Sequence, residues 1–210
     1  MMIVPSETVI LANGDFPRHP IPLGLLRGAI RIVCCDGSAA KLRAFGLEPT
    51  RIVGDLDSLD ETLREKYAER IVSDTDQNTN DLSKAFRFCV KRNWRDLAIL
   101  GATGGREDHT LGNLSLLADF QEKATVRLYT DTGVFTAIRK STVFPSFPGQ
   151  QVSLFSFTPG LRVYTEGLKY SVENVAFTRW WQAALNESFA NEFRITFLGG
   201  PLLVFQTYQE

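Results

Sequence analysis

The chain has 210 residues, 44% of them hydrophobic and 22% charged, with a formal net charge of −1. That balance suits a globular protein with a sizeable core and argues against a nucleic-acid footprint, which needs Lys and Arg clustered on one face. No stretch approaches the roughly 18 apolar residues that span a bilayer, and the N-terminus lacks the basic and apolar run of a secretory signal. Three cysteines, Cys34, Cys35 and Cys89, sit in apolar segments and read as buried free thiols of a reducing compartment. Only His19 and His109 supply imidazole, too few for a structural zinc centre. A cytoplasmic protein that meets small molecules or another copy of itself is the expectation.

Residues 8–12 form a short apolar run ending at the turn Asn13-Gly14-Asp15, and Arg31 to Cys35 repeats the pattern before Asp36-Gly37. A helix bearing Ala39, Leu42 and Phe45 follows, with Gly46 as its stop. Arg51-Ile52-Val53 then runs into Gly54-Asp55, and a polar helix is expected over about 60–68. Leu82, Ala85, Phe86, Cys89 and Val90 fall at helical spacing and predict a helix over about 80–92. Leu97 to Leu100 reads as another strand, and Leu111, Leu114 and Leu117 mark a helix after a glycine-bearing loop. Apolar strands alternating with helices predict a mostly parallel sheet with helices on both faces. Beyond about 125 the pattern changes to short β-type runs (126–129, 134–138, 152–157, 172–177, 193–198 and 202–208) broken by Gly, Pro and Asn turns, which predicts a sandwich or barrel. The expected domains are 1–125, α/β and nucleotide-binding, and 135–210, β-rich.

The acidic residues fall where these strands end. Asp15, Asp36, the pair Asp55 and Asp57, and the loop 101–108 each follow a predicted strand. In an open parallel sheet that edge is where ligands bind. Carboxylates gathered there repel one another unless a cation binds among them, and Mg²⁺ accepts carboxylate, water and phosphate oxygens together. Gly54-Asp55-Leu56-Asp57-Ser58 taken alone also reads as an acidic surface turn with Ser58 capping a helix. Asp76-Gln77-Asn78-Thr79-Asn80-Asp81 opens the 80–92 helix, so Asp81 has a local explanation in the helix dipole, whereas the crowding of Asp76, Gln77 and Asn78 points to a nucleotide or metal contact. Gly101 to His109 places glycines and Arg106 before a helix that contains Asn113, a pattern suited to polyphosphate. A P-loop, a dinucleotide-binding glycine motif and a serine-hydrolase elbow are absent.

Together these segments resemble the thiamine pyrophosphokinase family. Cys35-Asp36-Gly37, Gly54 to Ser58, Asp76-Gln77 through Asp81, and Gly104-Gly105-Arg106 with Asp108 and Asn113 match its motifs in order. In the second half, Gly167-Leu168-Lys169-Tyr170 and the stretch with Ser188 and Asn191 are similar to its thiamine-contacting segments. The sequence departs from the family pattern at Ser38, Asn78 and Ala190. The resemblance implies diphosphate transfer from ATP to the hydroxyl of thiamine, releasing AMP, and a homodimer whose sites are shared between chains. It implies Asp55, Asp57 and Asp81 as Mg²⁺ ligands, with Arg106 as a further catalytic charge. Asp36, Gly37, Gln77, Arg106, Asp108 and Asn113 are implied nucleotide contacts; Ser188, Asn191 and, as the nearest ring, Phe193 are implied thiamine contacts. A pyrophosphokinase for another hydroxymethyl heterocycle such as a pterin, and a non-catalytic thiamine or nucleotide sensor, are the alternative expectations.

Overall fold

The computed structural model describes residues 6–209; residues 1–5 and 210, at the outer ends of the two expected domains, lie outside the described residues. The chain divides into two compact units, the first running through Asp131 and the second beginning at Thr132.

The first unit alternates strand and helix: β1 (Thr8–Leu11), α1 (Pro20–Gly28), β2 (Arg31–Cys35), α2 (Ser38–Ala44), β3 (Arg51–Gly54), α3 (Glu61–Lys66), β4 (Ile71–Ser73), α4 (Asp81–Lys91), β5 (Asp96–Leu100), α5 (Glu107–Phe120) and β6 (Thr125–Tyr129). Its six strands are all parallel, in the order β6-β5-β1-β2-β3-β4. Val9 to Leu11 and Leu97 to Leu100 are wholly buried, as central strands covered on both faces must be. The chain walks from β1 out to β4, then crosses back to lay β5 on the other side of β1. That reversal leaves a crevice at the carboxyl ends of β1 and β5.

Two elements of this unit escape a reading by periodicity. The segment His19-Pro20-Ile21-Pro22 looks like a break, yet it opens α1. Proline is tolerated in a first turn because its missing N–H has no intrahelical partner there, and the His19 imidazole accepts the Ile21 N–H at 3.2 Å as the cap. Strand β4 has only three residues and sits at the sheet's outer edge. The run 126–129, grouped above with the β-rich half, pairs parallel with β5 as β6 and so belongs to the α/β unit.

The second unit is wholly antiparallel. β7 (Gly133–Ile138), β14 (Leu202–Thr207), β9 (Gln151–Ser156) and β12 (Ala183–Glu187) pair side by side in that order. β8 (Thr142–Pro145), β13 (Glu192–Phe197), β10 (Arg162–Glu166) and β11 (Val175–Ala176) form a second sheet. Buried and exposed residues alternate strictly along β10 and β13, the signature of a sheet with one face on a core. That core contains Phe144, Val152, Leu154, Val163, Phe177, Phe193, Ile195 and Val204 from both sheets, which makes the unit a sandwich.

Candidate active site

Gly54 closes β3, and the chain there turns into Asp55 beside Asp36, which follows β2, and Asp81, the first residue of α4. Ligand oxygens of Asp36, Asp55 and Asp81 all lie within 4.8 Å of one another. A Cβ on Gly54 would stand 3.0 Å from the Asp36 Cβ and 3.3 Å from an Asp81 carboxylate oxygen, so glycine at this position is what lets the three side chains converge. Asp36 holds this place with φ of +36°, and Leu56 beyond Asp55 has φ of +73°. Such left-handed conformations at non-glycine residues cost about 1–3 kcal/mol each and persist where a site demands them.

The three carboxylates are not equivalent. Asp36 is 2% exposed; its Oδ2 accepts the Ser58 N–H at 2.9 Å, while its Oδ1 is buried with no hydrogen-bond partner. Burial raises its pKa above the ordinary carboxylate value; the Ser58 N–H opposes this, and repulsion from Asp81 and Asp55 adds to it. Asp55 shifts the other way, chiefly because its Oδ1 accepts the Asp57 N–H at 3.3 Å, with Lys84 contributing. Lys84, also 2% exposed, reaches Asp81 at 3.1 Å and Asp55 at 3.4 Å. Its burial works to lower the ammonium pKa, but Asp81 and then Asp55 outweigh that and raise it.

A buried carboxylate with an orphaned oxygen, grouped with two other carboxylates, is an environment a hard divalent cation satisfies. Asp36, Asp55 and Asp81 therefore fit Mg²⁺. Asp57, expected in the ligand set, is exposed in the same turn and lies outside this trio, whereas Asp36, expected only at the nucleotide, lies within it.

Asp55 and Asp81 line a cavity of about 450 Å³ at the carboxyl ends of the parallel strands, with Asp36 buried behind them. Asn13 and Gly14 line one side, where the β1 loop is zipped to the β5 loop: Gly14 N–H donates to Gly101 O at 2.7 Å and Asp15 N–H to Thr103 O at 2.9 Å. Gly104, at φ of +78°, faces the Asp15 carboxylate so closely that a Cβ would collide with it. Gln77, Thr79 and Asn80 supply another wall at the start of α4, and Arg106 and His109 supply a third at the start of α5. Two helix N-termini thus border the cavity, each favouring negative charge.

Several expected contacts carry structural duties here. Asn113 donates to Ala102 O at 2.8 Å and accepts from Asn80 Nδ2 at 3.1 Å, while Asn80 Oδ1 accepts the Ser83 N–H to cap α4. The amide pair thereby braces the β5 loop against α4. Both carboxylate oxygens of Asp108 accept from one edge of the exposed Arg106 guanidinium, Nε at 3.1 Å and Nη2 at 2.5 Å, which lowers the Asp108 pKa and ties the Arg106 head at the cavity rim. Gly37 is the residue preceding α2 and packs against Asn13 and Ser58. Lys84 and His109 were not singled out from sequence. The Asp81–Lys84 spacing of three on a helix is the one signal that would have found the lysine.

Comparison with known proteins decides what this arrangement belongs to. Sequence models described as "Thiamin pyrophosphokinase, catalytic domain" and "Thiamin pyrophosphokinase, substrate-binding domain" match residues 24–130 and 133–205. The chain belongs to the thiamin pyrophosphokinase family. Thiamine pyrophosphokinase 1 of Oryza sativa subsp. japonica is 28% identical over 203 residues, covering 82% of this chain and 76% of that one. Among solved structures, a thiamin pyrophosphokinase family protein from Enterococcus faecalis superposes with a TM-score of 0.82 at 23% identity, covering 98% of this chain and 100% of that chain. Thiamine pyrophosphokinase from Bacillus subtilis superposes with a TM-score of 0.79 at 21% identity, covering 97% of this chain and 100% of that chain. At those identities the superpositions carry the fold.

The residues expected to meet the second substrate lie in the antiparallel unit. Ser188 is fully buried; its hydroxyl donates toward Gly167 O and Ala190 O and so shapes the family-like segment from within. Asn191 is exposed just before β13. Phe193 must be corrected: it is 1% exposed and stacks on Phe144 in the sandwich core, so its ring is unavailable to a ligand. The exposed rings of this unit include Tyr170, Trp180, Trp181 and Phe189.

Proposed function

We propose that the chain catalyses transfer of the diphosphate group from ATP to the hydroxyl of thiamine, giving thiamine diphosphate and AMP. The observation that carries the proposal is the convergence of Asp36, Asp55 and Asp81, with one buried oxygen unsatisfied, beside a cavity bordered by two helix N-termini. Phosphate-group transfer asks a protein mainly for positioning and charge neutralisation, and this site is built for both.

In the proposal Asp36, Asp55 and Asp81 hold Mg²⁺, which supplies positive charge to the polyphosphate. Asp57, from the same turn, serves the solvent-facing side of that site. Arg106, held by Asp108, places a second fixed charge at the cavity rim, and Gln77 with the braced Asn113–Asn80 pair shapes the nucleotide walls. Asn191 meets thiamine, with Ser188 fixing the backbone of its segment. The proposal extends to a cytoplasmic homodimer, as the family resemblance implies.

Incubating the protein with ATP, Mg²⁺ and thiamine and quantifying nucleotide and thiamine products tests the reaction. AMP and thiamine diphosphate in equal amounts are expected; ADP in place of AMP, or AMP formed only with a pterin alcohol, overturns it. In the same assay Asp57→Asn is expected to cut turnover at least about 100-fold with the melting temperature unchanged, since an exposed substitution costs roughly 0.5 kcal/mol or less. Undiminished turnover removes Asp57 from the site.

A further inference from the structure

Lys84 is an unusual residue to find where a metal ion is expected. Its side chain is 2% exposed, and its ammonium bonds Asp81 at 3.1 Å and Asp55 at 3.4 Å. Two of the three carboxylates that would hold the cation are therefore already neutralised in part by a fixed charge of the protein. Lys84 also joins two segments, the turn after β3 and the first turn of α4. Buried charge without a partner is strongly unfavourable, and three carboxylates at this spacing repel one another. Lys84 relieves both problems in the absence of any ion. The same positive charge must then repel a second cation that enters beside it.

We propose that Lys84 is a built-in placeholder cation: it holds Asp55 and Asp81 in place, keeps the affinity of the nucleotide-free protein for divalent ions low, and so makes the ion arrive with the nucleotide polyphosphate. The inference rests on the metal role given to the trio above. It assigns Lys84 as a positioning residue, acting through the carboxylates and not on the reacting atoms. The negative charge of a polyphosphate in the adjoining cavity offsets the repulsion that Lys84 imposes, so nucleotide and ion bind cooperatively. Ordered delivery of this kind spares the empty site from filling with whichever divalent ion is at hand.

The test is direct binding of Mn²⁺ to the full chain after removal of metals with EDTA, read from the electron paramagnetic resonance of free Mn²⁺, with and without a non-hydrolysable ATP analogue. Wild type is expected to bind Mn²⁺ weakly alone and at least about tenfold more tightly with the analogue, a factor worth about 1.4 kcal/mol. Lys84→Met, which keeps the apolar stem, is expected to bind Mn²⁺ without nucleotide at least about tenfold more tightly than wild type and to lose most of the enhancement by the analogue. Its melting temperature in EDTA is expected to fall and to recover when Mn²⁺ is added. Lys84→Arg, which keeps the charge, is expected to retain the wild-type weakness and enhancement, and Lys84→Gln serves in place of the Met variant if that does not fold. Equal or weaker Mn²⁺ binding by both neutral variants overturns the placeholder role while leaving the metal site standing. Absence of Mn²⁺ binding by wild type even with the analogue overturns the metal site itself, and the placeholder with it.

Discussion

At Asp36 a strained backbone, a buried carboxylate and an unsatisfied oxygen coincide in one residue. Because its folded-state pKa is raised, chiefly by burial, Asp36 stabilises the metal-free fold only at acid pH, fully below the ordinary carboxylate value, and that share is lost as pH rises through its folded value. Asp55, whose pKa is lowered, contributes oppositely: its share is present above the ordinary value and lost as pH falls through its folded value. Cation binding requires Asp36 ionised. The gain in melting temperature on adding Mg²⁺ is therefore expected to fade with acidification, beginning at a higher pH than an ordinary aspartate would set. Thermal scans with and without Mg²⁺ across a pH series check this; a gain that persists unchanged until ordinary carboxylates titrate would place Asp36 outside the ligand set. Asp36 was legible in the sequence as an acid at a strand end, but not as a ligand, because a side chain's depth depends on packing that no local pattern records. Lys84 was hidden for the same reason, since lysine within a helix ordinarily marks the solvated face.

Among the elements, α4 brings most to the site: Asp81, Lys84 and its cap Asn80 all belong to its first turn or border it. Asn80→Ala is expected to cost about 0.5–2 kcal/mol through loss of the cap. Asn113→Ala releases the other end of the same brace, so the two changes together should cost less than their sum by about 0.5 kcal/mol or more. Urea-unfolding midpoints of the two single variants and the double variant measure this coupling, and strict additivity would refute the brace. The stripe of Leu82, Ala85, Phe86 and Cys89 made this helix readable, because its apolar face must pack on the sheet. Helix α1 carries two prolines in its opening turn and a hydrophobic pattern too short to outweigh them. Strands β8, β10 and β12 escape the pattern because each is short and half polar.

Across the whole chain, the two units differ in pattern, and strict alternation of buried and exposed residues marks β10 and β13 of the second. Phe193 lies in phase with Ile195 and Phe197 on β13, all three facing inward. That phase was visible in the sequence and argues against a ligand-facing ring, whatever the neighbouring motif suggests. Phe193→Ala is expected to destabilise the antiparallel unit by about 3–5 kcal/mol. Trp180 and Trp181 lie in that unit and Trp94 in the other, so fluorescence of variants retaining only one region's tryptophans follows each unit separately. A loss below about 1 kcal/mol would show a site that collapses to fill the space, or a ring less confined than its burial indicates.

The carboxylate trio draws its members from positions 36, 55 and 81, on three separate crossovers of the parallel sheet. The full trio assembles only once β2, β3 and α4 have all docked. An ion bound there would tie together three segments distant in sequence. Mg²⁺ should therefore slow unfolding of this unit while leaving its refolding rate nearly untouched. A trio proposed to serve phosphate transfer would then also act as a kinetic latch on the finished fold.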